Sequence, residues 1–291
     1  LYKEGFPYKH VIIDEGQDFA LLPTKEESDR NVEIIDELRE AALQSGGTFY
    51  LFYDRNQAIQ GERNRTYDLP SYITDSDCRL TLYQNCRNTS AISQTSLTPL
   101  QLPQKRWSGS KVIDPWSVRV EKPVFHLLDD ESLIVETVNK VLDDLQAKDV
   151  TDIVLLTVGT MAYTALRDGL ESLDEGADKY WYYCYKRKRY RMTTAQRFKG
   201  LEATAIIMVD LKPDSFAGKN GMVFYVGASR AKLFLDFVAV IPEGEYKNVI
   251  QSVKETEPVN KSAKRLRNVI QDLFHAKVED TRLSSVSEIN P

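Results

Sequence analysis

The stretch HVIIDEGQDF, residues 10–19, runs three branched apolar residues, Val11, Ile12 and Ile13, straight into two adjacent acids, Asp14 and Glu15. A run this short and this apolar reads as a buried strand, and its abrupt polar end reads as a strand tip. The period then changes. Residues 26–43 place Val32, Ile35, Leu38 and Ala42 on one helical stripe, Gly46-Gly47 stops it, and residues 48–52 form a second strand. Short apolar runs alternating with helices belong to an α/β fold, a mostly parallel sheet covered by helices.

The alternation lapses once. Between Leu97 and Pro123 the chain turns to Pro, Ser, Gln and Trp, with four prolines and no apolar period. A linker is expected there. A second α/β series follows: strand 124–128, helix 131–146, strand 152–158, helix 161–173, a strand over 180–193, and strands 205–209 and 234–240. A last helix, 260–275, carries Leu266, Val269, Ile270 and Leu273 at i, i+3, i+4 and i+7. The expected organisation is a first lobe over 1–105, a linker over 106–122, a second lobe over 123–245 and a helical tail over 246–291. A chain of 291 residues suits two domains of about 100–200 residues each.

Composition narrows the class. With 42% hydrophobic and 28% charged residues the chain can bury an ordinary core. No stretch approaches the roughly 20 apolar residues that span a bilayer, and no signal-peptide pattern opens the chain, so a cytoplasmic protein with no membrane contact is expected. Three cysteines, Cys78, Cys86 and Cys184, are odd in number and unclustered, against both a disulfide framework and a zinc site. His10, His126 and His275 are scattered and suggest no metal or triad role. The net charge of −5 means that nucleic acid would have to meet a local basic surface. One stretch offers it: YWYYCYKRKRYR, residues 180–191, holds six aromatic and five basic residues. Its aromatics could stack on bases while Lys186, Arg187, Lys188 and Arg189 neutralise phosphates. The other reading is an antiparallel or edge strand with its aromatics packed on one face and its Lys and Arg guarding the edge.

In a parallel α/β sheet ligands bind beyond the carboxyl ends of the strands. There Asp14 is suited to hold Mg²⁺, which takes hard oxygen ligands and keeps part of its water shell. Glu15 is suited to orient and deprotonate an attacking water. Four further stretches follow in order: LFYDRNQAI (51–59), with Asp54 and Gln57 at a strand tip; LYQNCRNTSAI (82–92), with Arg87 ahead of a helix; TTAQRFKGLEATAIIMV (193–209), with Lys199, Gly200 and Glu202 ahead of a strand; and FYVGASRAKLFL (224–235), with Arg230 and Lys232 ahead of the last strand.

This ordered set resembles motifs II to VI of the superfamily 1 helicases of the UvrD/Rep type. The wording DEGQDF, CRNTSAI, RFKGLEA and YVGASRA is most similar to the motor part of bacterial proteins that often carry a nuclease-related domain at their N-terminus. The resemblance spans residue 10 to about residue 240. It implies two RecA-like P-loop NTPase lobes with parallel sheets, ATP and Mg²⁺ as cofactors, and single-stranded nucleic acid, DNA first, as partner. Asp14 then matches the magnesium-holding acid, Glu15 the catalytic glutamate and Gln57 the γ-phosphate sensor. Arg87 and Arg230 match two arginines that reach the γ-phosphate, and Glu202 matches the acid at the ribose, beside a loop shaped by Lys199 and Gly200. The resemblance further implies that Asp14, Glu15, Gln57, Arg87, Glu202 and Arg230 line one cleft.

Departures shape the expectation as much as matches. The phosphate-cradling loop G-x-x-x-x-G-K-[ST] is missing from the 291 residues: the lone Gly-Lys, Gly218-Lys219, has no glycine five positions before it and is followed by Asn220. Only nine residues precede the acidic strand, and the loop lies well upstream of that strand in the family. The first lobe is therefore expected to be incomplete, with this chain the C-terminal part of a helicase or translocase that is inactive without an upstream segment. Gln60-Gly61-Glu62 stands where relatives place an aromatic that stacks on single-stranded DNA, Tyr53 replaces a common glycine, and Ser229 replaces a usual threonine. A second function class stays open: a nucleotide-responsive regulatory module, such as the switch of a nuclease, that unwinds nothing.

Overall fold

The computed structural model describes residues 8–18, 25–54, 57, 80, 84–100, 111–112, 121–175, 178–254 and 262–280. Gln60-Gly61-Glu62, Cys78 and most of the expected linker lie outside those residues. The chain divides into two compact units, Leu1–Leu82 and Tyr83–Pro291. By this division residues 83–100, with Arg87, lie in the second unit.

In the first unit, strand β1 (His10–Ile13) leads through helix α1 (Lys25–Gln44) to strand β2 (Thr48–Leu51). The two strands pair in parallel with His10 opposite Thr48 and Ile13 opposite Leu51. Ile35 and Ala42 of the helical stripe are buried, whereas β1 is not the buried strand expected: Ile13 is buried but Ile12 is 69% exposed. No side-chain placement is described for Val32. This strand–helix–strand unit sets the ends of β1 and β2 side by side.

The second unit opens with a two-residue strand β3 (Gln84–Asn85) and helix α2 (Ser90–Leu97), capped by the Thr89 side chain. Lys111–Val112, inside the expected linker, forms strand β4, which pairs in parallel with β3. The main sheet is built from β5 (Val124–Leu128), β6 (Ile153–Thr157), β7 (Leu170–Glu175), β8 (Asp178–Tyr185), β9 (Lys188–Thr194), β10 (Ala203–Leu211), β11 (Ala231–Val240) and β12 (Lys277–Asp280). Their order across the sheet is β12-β5-β11-β10-β6-β9-β8-β7. The pairs from β12 to β9 are parallel, while β9–β8 and β8–β7 are antiparallel. The molecule is thus mixed α/β with predominantly parallel pairing.

Helices cover both faces. Helix α3 (Ile134–Ala147) packs Val138, Val141, Leu142 and Leu145 on one face, against Leu155, Ile207 and Val238. On the other face lie α2, α4 (Gly218–Ala228), α5 (Tyr246–Lys254) and α6 (Ala263–Phe274). Strand β6 is buried along its whole length, the expected state of a strand covered on both sides. An aromatic knot fixes the second face, with ring centroids 4.3 Å apart for Phe125–Phe237 and 4.9 Å for Phe125–Phe274. Helix α6 matches the expected tail helix. The tail is more than helical, however, because β12 joins the sheet beside β5. His126 helps to hold it, with Nε2 3.0 Å from Asp236 Oδ1 on β11 and Nδ1 3.5 Å from Glu279 on β12.

Two of the expected elements have a different form. Residues 161–173 are not a helix: they form turns, a short 3-10 segment at Arg167–Gly169 and the start of β7. The pairing of Leu170–Glu175 with β8 overrides helical propensity, and a Cβ at Gly169 would come within 2.5 Å of the Tyr183 ring. The aromatic stretch is not one strand but the β8–β9 hairpin. Its turn residues Lys186 and Arg187 both take positive φ, 46° and 62°, the twist a two-residue hairpin loop demands. In addition, α4 was not among the expected elements.

Candidate functional site

In the first unit the chemistry gathers at the tips of β1 and β2. Beyond Ile13 the backbone stays tied to the second strand: Phe52 N donates to Ile13 O and Gly16 N to Phe52 O, each at 2.8 Å. Gly16 permits this approach, because a Cβ there would meet the Leu51 side chain at 2.5 Å. Glu15 lies between these anchors with φ of +53°, an unusual backbone for a residue with a side chain. Asp14 is exposed, and its Oδ1 accepts from the Glu15 backbone at 2.9 Å.

Gln17 connects the two tips. It is 3% exposed; its amide nitrogen donates to the Glu15 carboxylate, and its amide oxygen accepts from Asp54 N at 2.9 Å. Asp54 in turn receives the Gln57 side-chain amide at 2.9 Å. A chain of polar contacts therefore runs Glu15–Gln17–Asp54–Gln57, orienting a carboxylate and an amide at adjoining strand ends. Sequence reading paired Asp54 with Gln57 but assigned Gln17 no role. Its signal was a long neutral amide two residues after the acids, the one side chain there able to donate and accept at once.

Among the described residues no group of three or more His, Cys, Asp or Glu side chains is arranged to hold a metal ion. An exposed hard-oxygen donor such as Asp14 nevertheless fits Mg²⁺, which typically takes one or two carboxylates and completes its shell with phosphate oxygens and water.

The second unit brings together a separate group. Arg87 Nε lies 3.1 Å from Glu202 Oε2, and Lys232 Nζ lies 3.2 Å from Glu202 Oε1. The hydrogen bond from Lys232, reinforced by Arg87, lowers the Glu202 pKa from its ordinary 4.5. Asn85 Oδ1 accepts from the backbone N–H groups of Arg87 and Asn88 at 3.0 and 3.2 Å. The buried Asn88 side chain then donates to the carbonyls of Ser229 and Ala231, bracketing Arg230. Lys232 and Asn88 carried no assigned role in the sequence reading.

Arg230 itself is 1% exposed, with Nε donating to Val226 O at 3.0 Å and a terminal nitrogen to Ser229 Oγ at 3.2 Å. Gly200 takes φ of +83° in the turn that carries Lys199 toward Glu202, and Lys199 is half-buried.

The basic hairpin is largely engaged with its own chain. Lys186 pairs with Asp143 at 2.7 Å, Lys188 donates to Gln146 Oε1 at 3.0 Å, and Arg189 pairs with Glu171 at 3.1 Å. Tyr183 and Tyr190 are buried against α3, and Tyr183 Oη donates to Asn139 Oδ1 at 2.9 Å. Arg187 is exposed at the turn.

No family model matches the chain, and no curated protein matches it. Among solved structures the chain is similar to the C-terminal domain of a possible DNA helicase from Lactobacillus plantarum WCFS1, at 16% identity and a TM-score of 0.36. The match covers 54% of this chain and 88% of that one. No described helix is long and apolar enough to cross a membrane.

Proposed function

We propose that the chain is the C-terminal part of an ATP-dependent helicase or translocase of the UvrD/Rep type that moves on single-stranded nucleic acid, DNA first. The observation that carries this reading is the strand-tip network, in which buried Gln17 ties the Glu15 carboxylate to the tip that holds Asp54 and Gln57. A general base for water must be held in one orientation, and an amide sensor must share its frame. Asp14 would hold Mg²⁺, which neutralises phosphate charge when bound. Glu15 takes the proton of the attacking water, and Gln57 orients that water. Arg87 supplies a planar cation to the phosphoryl oxygens, and Glu202 accepts from ribose hydroxyls, with Lys199 and Gly200 shaping its loop.

The 291 residues contain no Gly-Lys-Ser/Thr phosphate loop, so turnover is proposed for a longer polypeptide that supplies it, with or without a nuclease domain. One observation favours the second reading, a nucleotide-responsive module without unwinding: Arg230 is buried and bonded to its own helix end. Steady-state ATPase and strand-displacement assays on the longer polypeptide separate the two. DNA-stimulated turnover with displacement supports the motor; nucleotide binding without either supports the module.

A further inference from the structure

We propose that His126 is a proton-operated latch for the C-terminal strand β12: with both ring nitrogens protonated it holds β12 against the sheet, and with one it gives up that hold. The proposal is independent of the hydrolase reading.

His126 projects from β5, and its side chain is only 7% exposed. The two strands beside β5 each bring a carboxylate to a different ring nitrogen: Asp236 Oδ1 on β11 lies 3.0 Å from Nε2, and Glu279 Oε2 on β12 lies 3.5 Å from Nδ1. A carboxylate accepts and does not donate, and a neutral imidazole carries one N–H, so only the doubly protonated ring serves both. Asp236 is the closer and more buried partner and keeps the Nε2 proton. A bare Nδ1 then turns its lone pair toward Glu279, and the contact with β12 changes from attraction to repulsion. What still holds β12 is Lys140, with Nζ 3.9 Å from Glu279, and four residues of backbone pairing at the sheet edge. The other charged groups beside the ring line a cavity of about 120 Å³: Asp144 and Lys148 of α3, Glu121 and Lys122 ahead of β5, and Lys277 of β12. Lys148 is engaged with Glu121 at 2.6 Å. Carboxylates and ammonium groups ordinarily keep their charge between about pH 5.5 and pH 8, whereas an imidazole does not, so among these groups His126 alone can change the balance in that window. A proton that the docked state binds more readily than the released one favours docking on the acid side of the window, and that support is lost as pH rises.

Amide hydrogen exchange of this chain at Lys277, whose N–H donates to Pro123 O at 2.8 Å, reads the docking of β12. With the intrinsic pH dependence of exchange divided out, its protection should fall about two- to fivefold from about pH 5.5 to pH 8, the range a part-exposed ion pair commands, while protection within β10 stays constant. In Glu279→Gln the side-chain amide can accept from a protonated Nδ1 or donate to a bare one, so the fall should vanish. Protection at Lys277 that stays constant or rises with pH in the unaltered chain, or a fall that persists in Glu279→Gln, overturns the proposal. Should the variant fail to fold, nitrogen-15 spectra of the His126 ring in the unaltered chain serve instead. They should show both ring nitrogens protonated at the lower pH and Nε2 alone at the higher, and an unchanged protonation state across the range overturns the proposal.

Discussion

Gln17 donates its side-chain amide to the Glu15 carboxylate from a position only 3% exposed, and with the same amide it accepts from the Asp54 backbone. A single neutral side chain thereby sets the orientation of the candidate base and joins the two strand tips. Gln17→Leu should strand the Asp54 N–H in a part-buried loop and cost about 1–3 kcal/mol of local stability. Amide hydrogen exchange at Asp54 and Gly16 should accelerate while exchange within β10 stays unchanged. Unaltered protection at Asp54 would show that Gln17 does not hold the tips.

Arg230 and Arg87 should respond differently to truncation. Arg230 is fully buried and donates to Val226 O and Ser229 Oγ, whereas the Arg87 side chain is 39% exposed. Arg230→Met leaves those acceptors unserved and should cost about 1–3 kcal/mol in urea unfolding. Arg87→Met should cost less than about 1 kcal/mol. Equal losses would contradict the internal role seen for Arg230.

Acid should weaken the second unit through identifiable carboxyls. The hydrogen bond from Lys232 lowers the Glu202 pKa, and that from Lys186 lowers the Asp143 pKa. Each carboxyl binds its proton less readily folded than unfolded, so its contribution is present at neutral pH and is lost as pH falls below about 4. The urea midpoint should therefore drop between pH 6 and pH 3. In a Glu202→Gln, Asp143→Asn double variant the drop should be smaller, and an equal drop would assign the acid sensitivity elsewhere.

The aromatic hairpin was legible in composition but not in shape. Its alternation marks strands, yet the turn falls on Lys186-Arg187, which lack the Gly or Asn that usually signals positive φ, so two strands read as one. Helix α4 was hidden because Gly218, Gly221 and Gly227 depress helical propensity, and packing decides there instead: a Cβ at Gly227 would lie 2.7 Å from Met208. Residues 161–173 erred the other way, since local spacing mimicked a helix while β8 offered a partner. Strands β5, β6, β10 and β11 were legible because burial on both faces leaves continuous apolar runs. Within the candidate site, strand-tip position singles out Asp14, Glu15 and Gln57 as candidates. The contacts of Gln17, Asn88 and Lys232 were not legible, because they depend on partners such as Asp54, Ala231 and Glu202 that lie far away in sequence.

Lys186, Lys188 and Arg189 each have a partner within the chain, which supports a packed antiparallel pair, although β7 and not the hairpin forms the edge of the sheet. Replacing Lys186, Arg187, Lys188 and Arg189 together should then leave the salt dependence of single-strand binding nearly unchanged. If all four neutralised phosphates, the log–log slope would flatten by about 0.7 for each phosphate left without its cation. A flattening of that size in a folded variant would return the hairpin to the nucleic-acid surface.

The most direct test of the hydrolase reading is the steady-state ATPase rate, with single-stranded DNA present, of a polypeptide extended upstream to include a phosphate-binding loop, compared with its Glu15→Gln variant and with this chain alone. The extended polypeptide should turn over at about 1–1000 per second, as enzymes generally do, and Glu15→Gln should abolish turnover while the shorter chain stays silent. Turnover that survives Glu15→Gln, or that this chain sustains by itself, would contradict the role assigned to the strand-tip carboxylate.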